Sequence, residues 1–227
     1  MVKHSETLAL ALIAGAVLIV AGIPRTIAAF TMLPGDSVLR EIQNRRPVER
    51  DNLGVLIVAQ GRGLFFGESG RKWTDLGLAQ LLLAHEERVQ GGIGKEMVSG
   101  AIASLKTGLA LAPANPFAWT RLAYARSLIT GPSPSVASAL RMAMLTARYE
   151  PRLLFIRVEL CLQSWSYFRP DDRELVYQQV RFAWRTKRKR LVDLAVGTGR
   201  VNVVRAALLR SRKDLSAFEK RLRERTS

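Results

Sequence analysis

The sequence is poor in the residues that most chemistry needs. It has one cysteine and two histidines in 227 residues, and only 7% of its residues are aromatic. A single thiol excludes any intrachain disulfide. Cys161 lies in the apolar run Leu160-Cys161-Leu162, where a small buried hydrophobe is the simplest reading. Of the histidines, His4 belongs to the N-terminal tail. His85 stands in Ala84-His-Glu-Glu-Arg without the second histidine of a zinc-protease helix, and reads as an exposed helical position. Adjacent carboxylates such as Glu86-Glu87 and Asp171-Asp172 diverge by about 100° on a helix and make no acid-base pair. In Gly92-Ile-Gly-Lys-Glu96, Val89 and Glu96 occupy the positions where a phosphate-binding loop needs Gly and Ser or Thr. Gly61-x-Gly63 with Gly67 has neither the spacing nor the preceding strand of a dinucleotide fingerprint. The chain is therefore expected to be non-enzymatic, with no cofactor and no metal.

Strand patterning is also scarce. Val55–Val58 and Val201–Val204 are β-branched, but each falls inside a longer helical period. The expected fold is all-α. Helices are predicted over 71–89, 95–111, 116–129, 134–148, 152–165, 171–186, 188–197, 200–211 and 213–225. Earlier in the chain, Pro34-Gly-Asp-Ser37 predicts a turn and a new helix capped by Asp36 or Ser37. Asp51-Asn52 predicts another helix through Ala59, which Gly61-Arg-Gly63 should break. Asp171-Asp172 is expected to cap the helix that follows Pro170.

Acidic residues are few. Lys and Arg number 35 against 19 Asp and Glu, a formal charge of +16, so an anionic partner or surface is expected. Between Arg181 and Arg225 there are fifteen basic residues and four acidic ones. The densest run, Lys187-Arg188-Lys189-Arg190, has two readings. It is a solvated turn whose charges favour a helix C-terminus, or it is an anion-binding patch.

One long uncharged run is present. Thr7 to Pro24 spans 18 residues without a charge, at the lower limit of the roughly 17–25 that cross a bilayer. The expectation is an uncleaved transmembrane helix over 1–33. Two other readings are a secretory signal cleaved near Ile27-Ala28-Ala29 and a buried helix; the latter lacks a polar face. Lys3 and the amino terminus precede the run, and Arg25, Arg40, Arg45, Arg46 and Arg50 follow it. The leading lysine favours a cytoplasmic N-terminus. The expected location is thus the inner membrane, single-pass, with the body on the periplasmic side.

Two segments in the middle of the chain match. Trp73-Thr-Asp-Leu-Gly-Leu-Ala79 and Trp119-Thr-Arg-Leu-Ala-Tyr-Ala125 share Trp-Thr-x-Leu-small-apolar-Ala. Ala101, Leu105, Gly108 and Pro113 precede the second segment, and Ala139, Ala143, Thr146 and Pro151 follow it. This pattern resembles tetratricopeptide (TPR) repeats, in which Trp, Leu and small residues on paired helices pack closely and a proline ends the unit. The match is good over Ala101–Pro151, and Gly131-Pro-Ser-Pro134 lengthens one turn. The resemblance implies a short α-solenoid of helix pairs that binds a protein partner. Trp73, Trp119, Leu122 and Ala139 would fill its core, and Gln80, Arg121, Arg126 and Arg157 would face the partner.

The predicted organisation is a tail and membrane anchor over 1–33 and a linker with leading helices over 34–70. TPR-like repeats follow over 71–186, and basic capping helices over 187–227. The expected function is a membrane-anchored scaffold that holds a membrane-associated protein, in cell-envelope or polysaccharide assembly. Its basic end would meet anionic glycan or lipid. One alternative is a cytoplasm-facing protein whose basic helices bind anionic lipid or nucleic acid, although no zinc-finger spacing or RNA-binding aromatic motif accompanies the charge. Another is an accessory subunit of a membrane enzyme complex.

Overall fold

The computed structural model describes residues 2–44, 46–87, 89 and 91–226, with side chains at 2–11, 13, 21, 24, 25, 28, 31 and 226 outside the description. Among the described residues every regular element is helical. In order these are α1 (Val2–Gln43), α2 (Arg50–Phe65), α3 (Gly70–Glu86), α4 (Gly92–Leu111), α5 (Pro116–Thr130), α6 (Pro134–Thr146), α7 (Leu154–Gln163), α8 (Arg173–Thr186), α9 (Arg188–Gly197), α10 (Val201–Leu208) and α11 (Arg212–Thr226). Short 3-10 turns at Trp165–Tyr167 and Pro170–Asp172 separate α7 from α8. The chain divides into two compact units, Met1–Leu111 and Ala112–Ser227.

In the first unit, α3 and α4 pack through small residues. A Cβ on Gly108 would lie 2.7 Å from Thr74 Cγ2 and 2.9 Å from the Gly70 carbonyl, and one on Gly77 would lie 2.7 Å from Leu105 Cγ. Only glycine permits this approach, and it buries Ala79, Ala101 and Leu105 completely. The α2 C-terminus is held from α3: Lys72 Nζ donates to the carbonyls of Gly63 at 2.7 Å and Gly67 at 2.9 Å. A cation there also suits the negative end of the helix dipole.

Two predicted breaks are absent. α1 runs straight through Pro34-Gly35, and α2 runs past Gly61 and Gly63. Tertiary packing overrides the local turn signal. A Cβ on Gly35 would lie 3.0 Å from Ala59 Cβ, and one on Gly63 would lie 2.7 Å from Met32 Sδ, so both glycines serve a close crossing of α1 and α2. Val38, Leu39, Leu56 and Ala79 form the small core beneath.

The predicted transmembrane helix must also be corrected. Among the described residues, no helix is long and apolar enough to cross a membrane. Crossing takes about 20 consecutive apolar residues. α1 does not end with its apolar run but continues through Asp36, Arg40 and Glu41 to Gln43. The single-pass, inner-membrane location inferred from that span falls with it. Lys3, Arg25 and Arg45, used to orient the span, have side chains outside the described residues.

The second unit opens on two capped helices. The Asn115 side chain accepts the Ala118 N–H at 3.1 Å, and Ser133 Oγ accepts the Val136 N–H at 3.4 Å, each followed by a proline at the first helical position. The turn after α6 is gripped from within. Buried Arg157 donates to the Ala147 carbonyl at 2.7 Å, and buried Gln179 donates to the Arg148 carbonyl at 2.6 Å. Asp172 stands at the head of α8 but makes no capping bond. Its carboxylate accepts from Arg141 Nε at 2.6 Å instead, so side-chain pairing displaces the expected cap. The C-terminal helices close around Trp184, whose ring meets Phe218 edge-on at 6.0 Å and whose indole N–H donates to Asp214 at 2.9 Å.

Candidate anion-binding cleft

The junction of α8 and α9 carries the densest charge in the chain. Lys187 ends α8 and heads α9, and Arg188, Lys189 and Arg190 fill the first turn of α9. All four are exposed. Together with Arg185 from the last turn of α8 and Arg221 from α11, they line a cleft of about 590 Å³ that contains one carboxylate, Asp193.

The local acids are engaged elsewhere. Asp193 accepts from Arg225 Nε at 2.9 Å. Glu219 accepts from Arg205 through both oxygens, at 2.6 and 3.0 Å, and this bond holds the Glu219 carboxyl below its ordinary range. Asp214 is also held low, first by the Trp184 indole N–H and then by Ser211 and the fields of Arg188 and Arg185. Among the described residues, no carboxylate lies within ion-pair distance of the six cations of the cleft.

The helix-end explanation covers only part of this charge. Arg185 and Lys187 sit at the C-terminus of α8, where cations are favoured. Arg188, Lys189 and Arg190 sit at the N-terminus of α9, where they are disfavoured, with no acid in the first turn. Two of these arginines are held against aromatic faces. The Arg188 guanidinium lies 5.0 Å from the Trp184 ring centroid, and that of Arg190 lies 4.4 Å from that of Phe155. Stacking orients the guanidinium while its N–H edges stay available.

The first unit has a cleft of similar volume with the opposite character. It lies between α1 and the start of α3, with Met32 and Leu39 in its wall and Asp36, Arg40, Arg71, Lys72 and Asp75 around it. Lys72 is bonded to two carbonyls, and Arg71 pairs with Asp75 at 3.6 Å. These two cations are engaged within the protein.

The other predicted binding residues are divided between the two units. Gln80 belongs to the first unit and accepts from Ser104 Oγ at 2.9 Å, between α3 and α4. Arg126 donates to the Ser135 carbonyl at 2.8 Å, and Arg121 is half-buried on α5. Arg157 is 0% exposed; its Nε donates to Thr120 Oγ1 at 3.1 Å, and burial lowers its pKa to about 10. It is an internal clamp on α5, α6 and α7, not a surface group. Leu122 and Ala139 are buried as predicted, whereas Trp73 and Trp119 are half-buried. Cys161 is fully buried, and burial pushes its thiol pKa up, so the thiolate needed for nucleophilic chemistry is suppressed. Among the described residues, no group of His, Cys, Asp and Glu is placed to hold a metal.

Arg185, Arg221 and the two aromatic platforms were missed by sequence reasoning. Trp184 precedes Arg188 by four residues, a helical spacing, but the break at Lys187 obscures that signal. Phe155 and Arg190 are far apart in sequence, and no local pattern joins them. Comparison with known proteins returns no match to a family profile, a curated protein or a solved structure. The TPR likeness therefore rests only on the residues quoted above.

Proposed function

We propose that this chain is a non-enzymatic helical adaptor whose C-terminal unit docks an anionic partner at the α8–α9–α11 cleft. One observation carries the reading: six cations line a single cleft while Asp193, Asp214 and Glu219 are engaged by other groups. Three of the cations are also held at the disfavoured end of α9, so the cleft is electrostatically incomplete without a counter-charge.

Heparin affinity tests this reading. Replacing Lys187, Arg188, Lys189 and Arg190 by glutamine should lower the salt concentration at which the protein elutes. Replacing Arg212 and Lys213, exposed cations outside the cleft, should change it much less. Shifts in proportion to the charges removed, four against two, would reduce the affinity to net charge alone and refute a specific site.

A further inference from the structure

We infer that the ligand of this cleft is a compact, multiply phosphorylated group rather than a run of carboxylates or a nucleic-acid strand. This inference rests on the reading of the cleft as an anion-binding site.

Charge density is the first reason. Six cations face one carboxylate, and that carboxylate is already paired with Arg225. A phosphate monoester carries about −1.5 to −2 at neutral pH, so about three such groups balance the site. Acidic side chains carry one charge each. On an extended peptide, same-face residues recur every 6.6–6.8 Å or so, so five of them span about 27 Å. Five of the six cations lie within six consecutive residues at the α8–α9 junction. Clustered phosphates match that concentration of charge, whereas a carboxylate run spreads the same charge along its length.

The donors are the second reason. Four of the six cations are arginines, and two are stacked on Trp184 and Phe155 with their N–H edges free. A guanidinium edge matches two phosphate oxygens at once. The aromatic rings are themselves covered: Trp184 is 1% exposed and Phe155 8%. They offer no face on which a base can stack, and base stacking is what sequence-tolerant single-strand binding requires.

Calorimetry with inorganic tripolyphosphate, inorganic phosphate and a hexaglutamate peptide at equal ionic strength tests the inference. Tripolyphosphate should bind at least tenfold more tightly than hexaglutamate. Arg188→Gln with Arg190→Gln should weaken it more than tenfold. Arg188→Lys with Arg190→Lys, which keeps the charge but removes the forks, should give an intermediate loss. Arg212→Gln with Lys213→Gln should leave it within about twofold. With Trp73, Trp119 and Trp165 replaced by phenylalanine, Trp184 emission should shift on binding, because Arg188 lies over its ring.

Hexaglutamate binding equal to tripolyphosphate, and lost in the cleft variants, would overturn the phosphate assignment and leave the anionic cleft standing. Binding that is absent, or indifferent to the cleft variants, would overturn both. Co-sedimentation with phosphatidylcholine vesicles containing a bisphosphorylated inositol lipid, competed by tripolyphosphate, assigns the group to a lipid headgroup. Tripolyphosphate binding without co-sedimentation assigns it to a soluble compound.

Discussion

The two compact units differ in how they use charge. The first, to Leu111, has 12 basic and 10 acidic residues, and the second has 23 and 9. Each unit has a cleft of about 590 Å³. In the first, Lys72 closes the end of α2 and Arg71 pairs with Asp75, so the charges serve the fold. In the second, Asp193, Asp214 and Glu219 are drawn to Arg225, Trp184 and Arg205, and the cations at the head of α9 are left facing solvent. A cation bonded to a helix end is part of the structure, whereas one held against a helix dipole is a standing cost that a ligand can relieve.

The packing differs in parallel. The α3–α4 pair depends on what is missing, the side chains of Gly77 and Gly108. The C-terminal helices depend on what is present, the indole of Trp184 between Phe218, Asp214 and Arg188. Substitutions in opposite directions therefore test the contrast. Trp184→Ala should cost about 3–5 kcal/mol, read in chemical denaturation, with hydrogen-exchange protection lost across α8–α11 and kept in α3 and α4. Loss of equal size in both units would break the comparison.

Gly108→Val should cost about 1–3 kcal/mol by overpacking. The strain would fall on α3, because the new Cβ meets the Gly70 carbonyl as well as Thr74. A neutral effect on the melting midpoint would show that the pair separates easily and that the close approach is incidental. Asn115→Ala should cost about 1 kcal/mol, by removal of the α5 cap. Asn115→Gly should cost only a few tenths, and thermal unfolding resolves the pair.

The smallest effect is one of pH. The folded pKa of Asp214 lies below its ordinary 3.8, chiefly because the Trp184 indole donates to it. A depressed acid contributes its stability in full above its unfolded pKa and loses it as the pH falls through the folded value. Acid titration should therefore weaken the α8–α11 region below about pH 4, followed by Trp184 emission in the single-tryptophan background. Asp214→Asn should flatten that part of the curve. An unchanged curve would remove Asp214 from the account.

Much of this was legible because it is local. The starts of α5 and α6, at Pro116 and Pro134, are where they were expected. The helices from α3 to α11 follow the 3.6-residue apolar period to within about three residues at either end. Lys187–Arg190 stood out as a contiguous run. Pro34-Gly35 and Gly61-Arg-Gly63 misled, because a glycine that ends a helix and a glycine that lets two helices cross have the same local sequence. Arg157 misled because a polar residue on a helix reads as exposed until its neighbours are known. The apolar run near the N-terminus misled as a transmembrane helix, since among the described residues no helix is long and apolar enough to cross a membrane.

The sequence by itself determined an all-helical chain, the positions of most helices and a large excess of positive charge in its last third. These follow from periodicity, caps and composition, which act over a few residues. Only the tertiary structure decided which charges are satisfied. Whether Asp193 meets Arg190 or Arg225, and whether Phe155 lies beneath a guanidinium, depends on residues brought together from distant helices. Electrostatic energy depends on distance in space and on burial, and neither is written in the order of the residues.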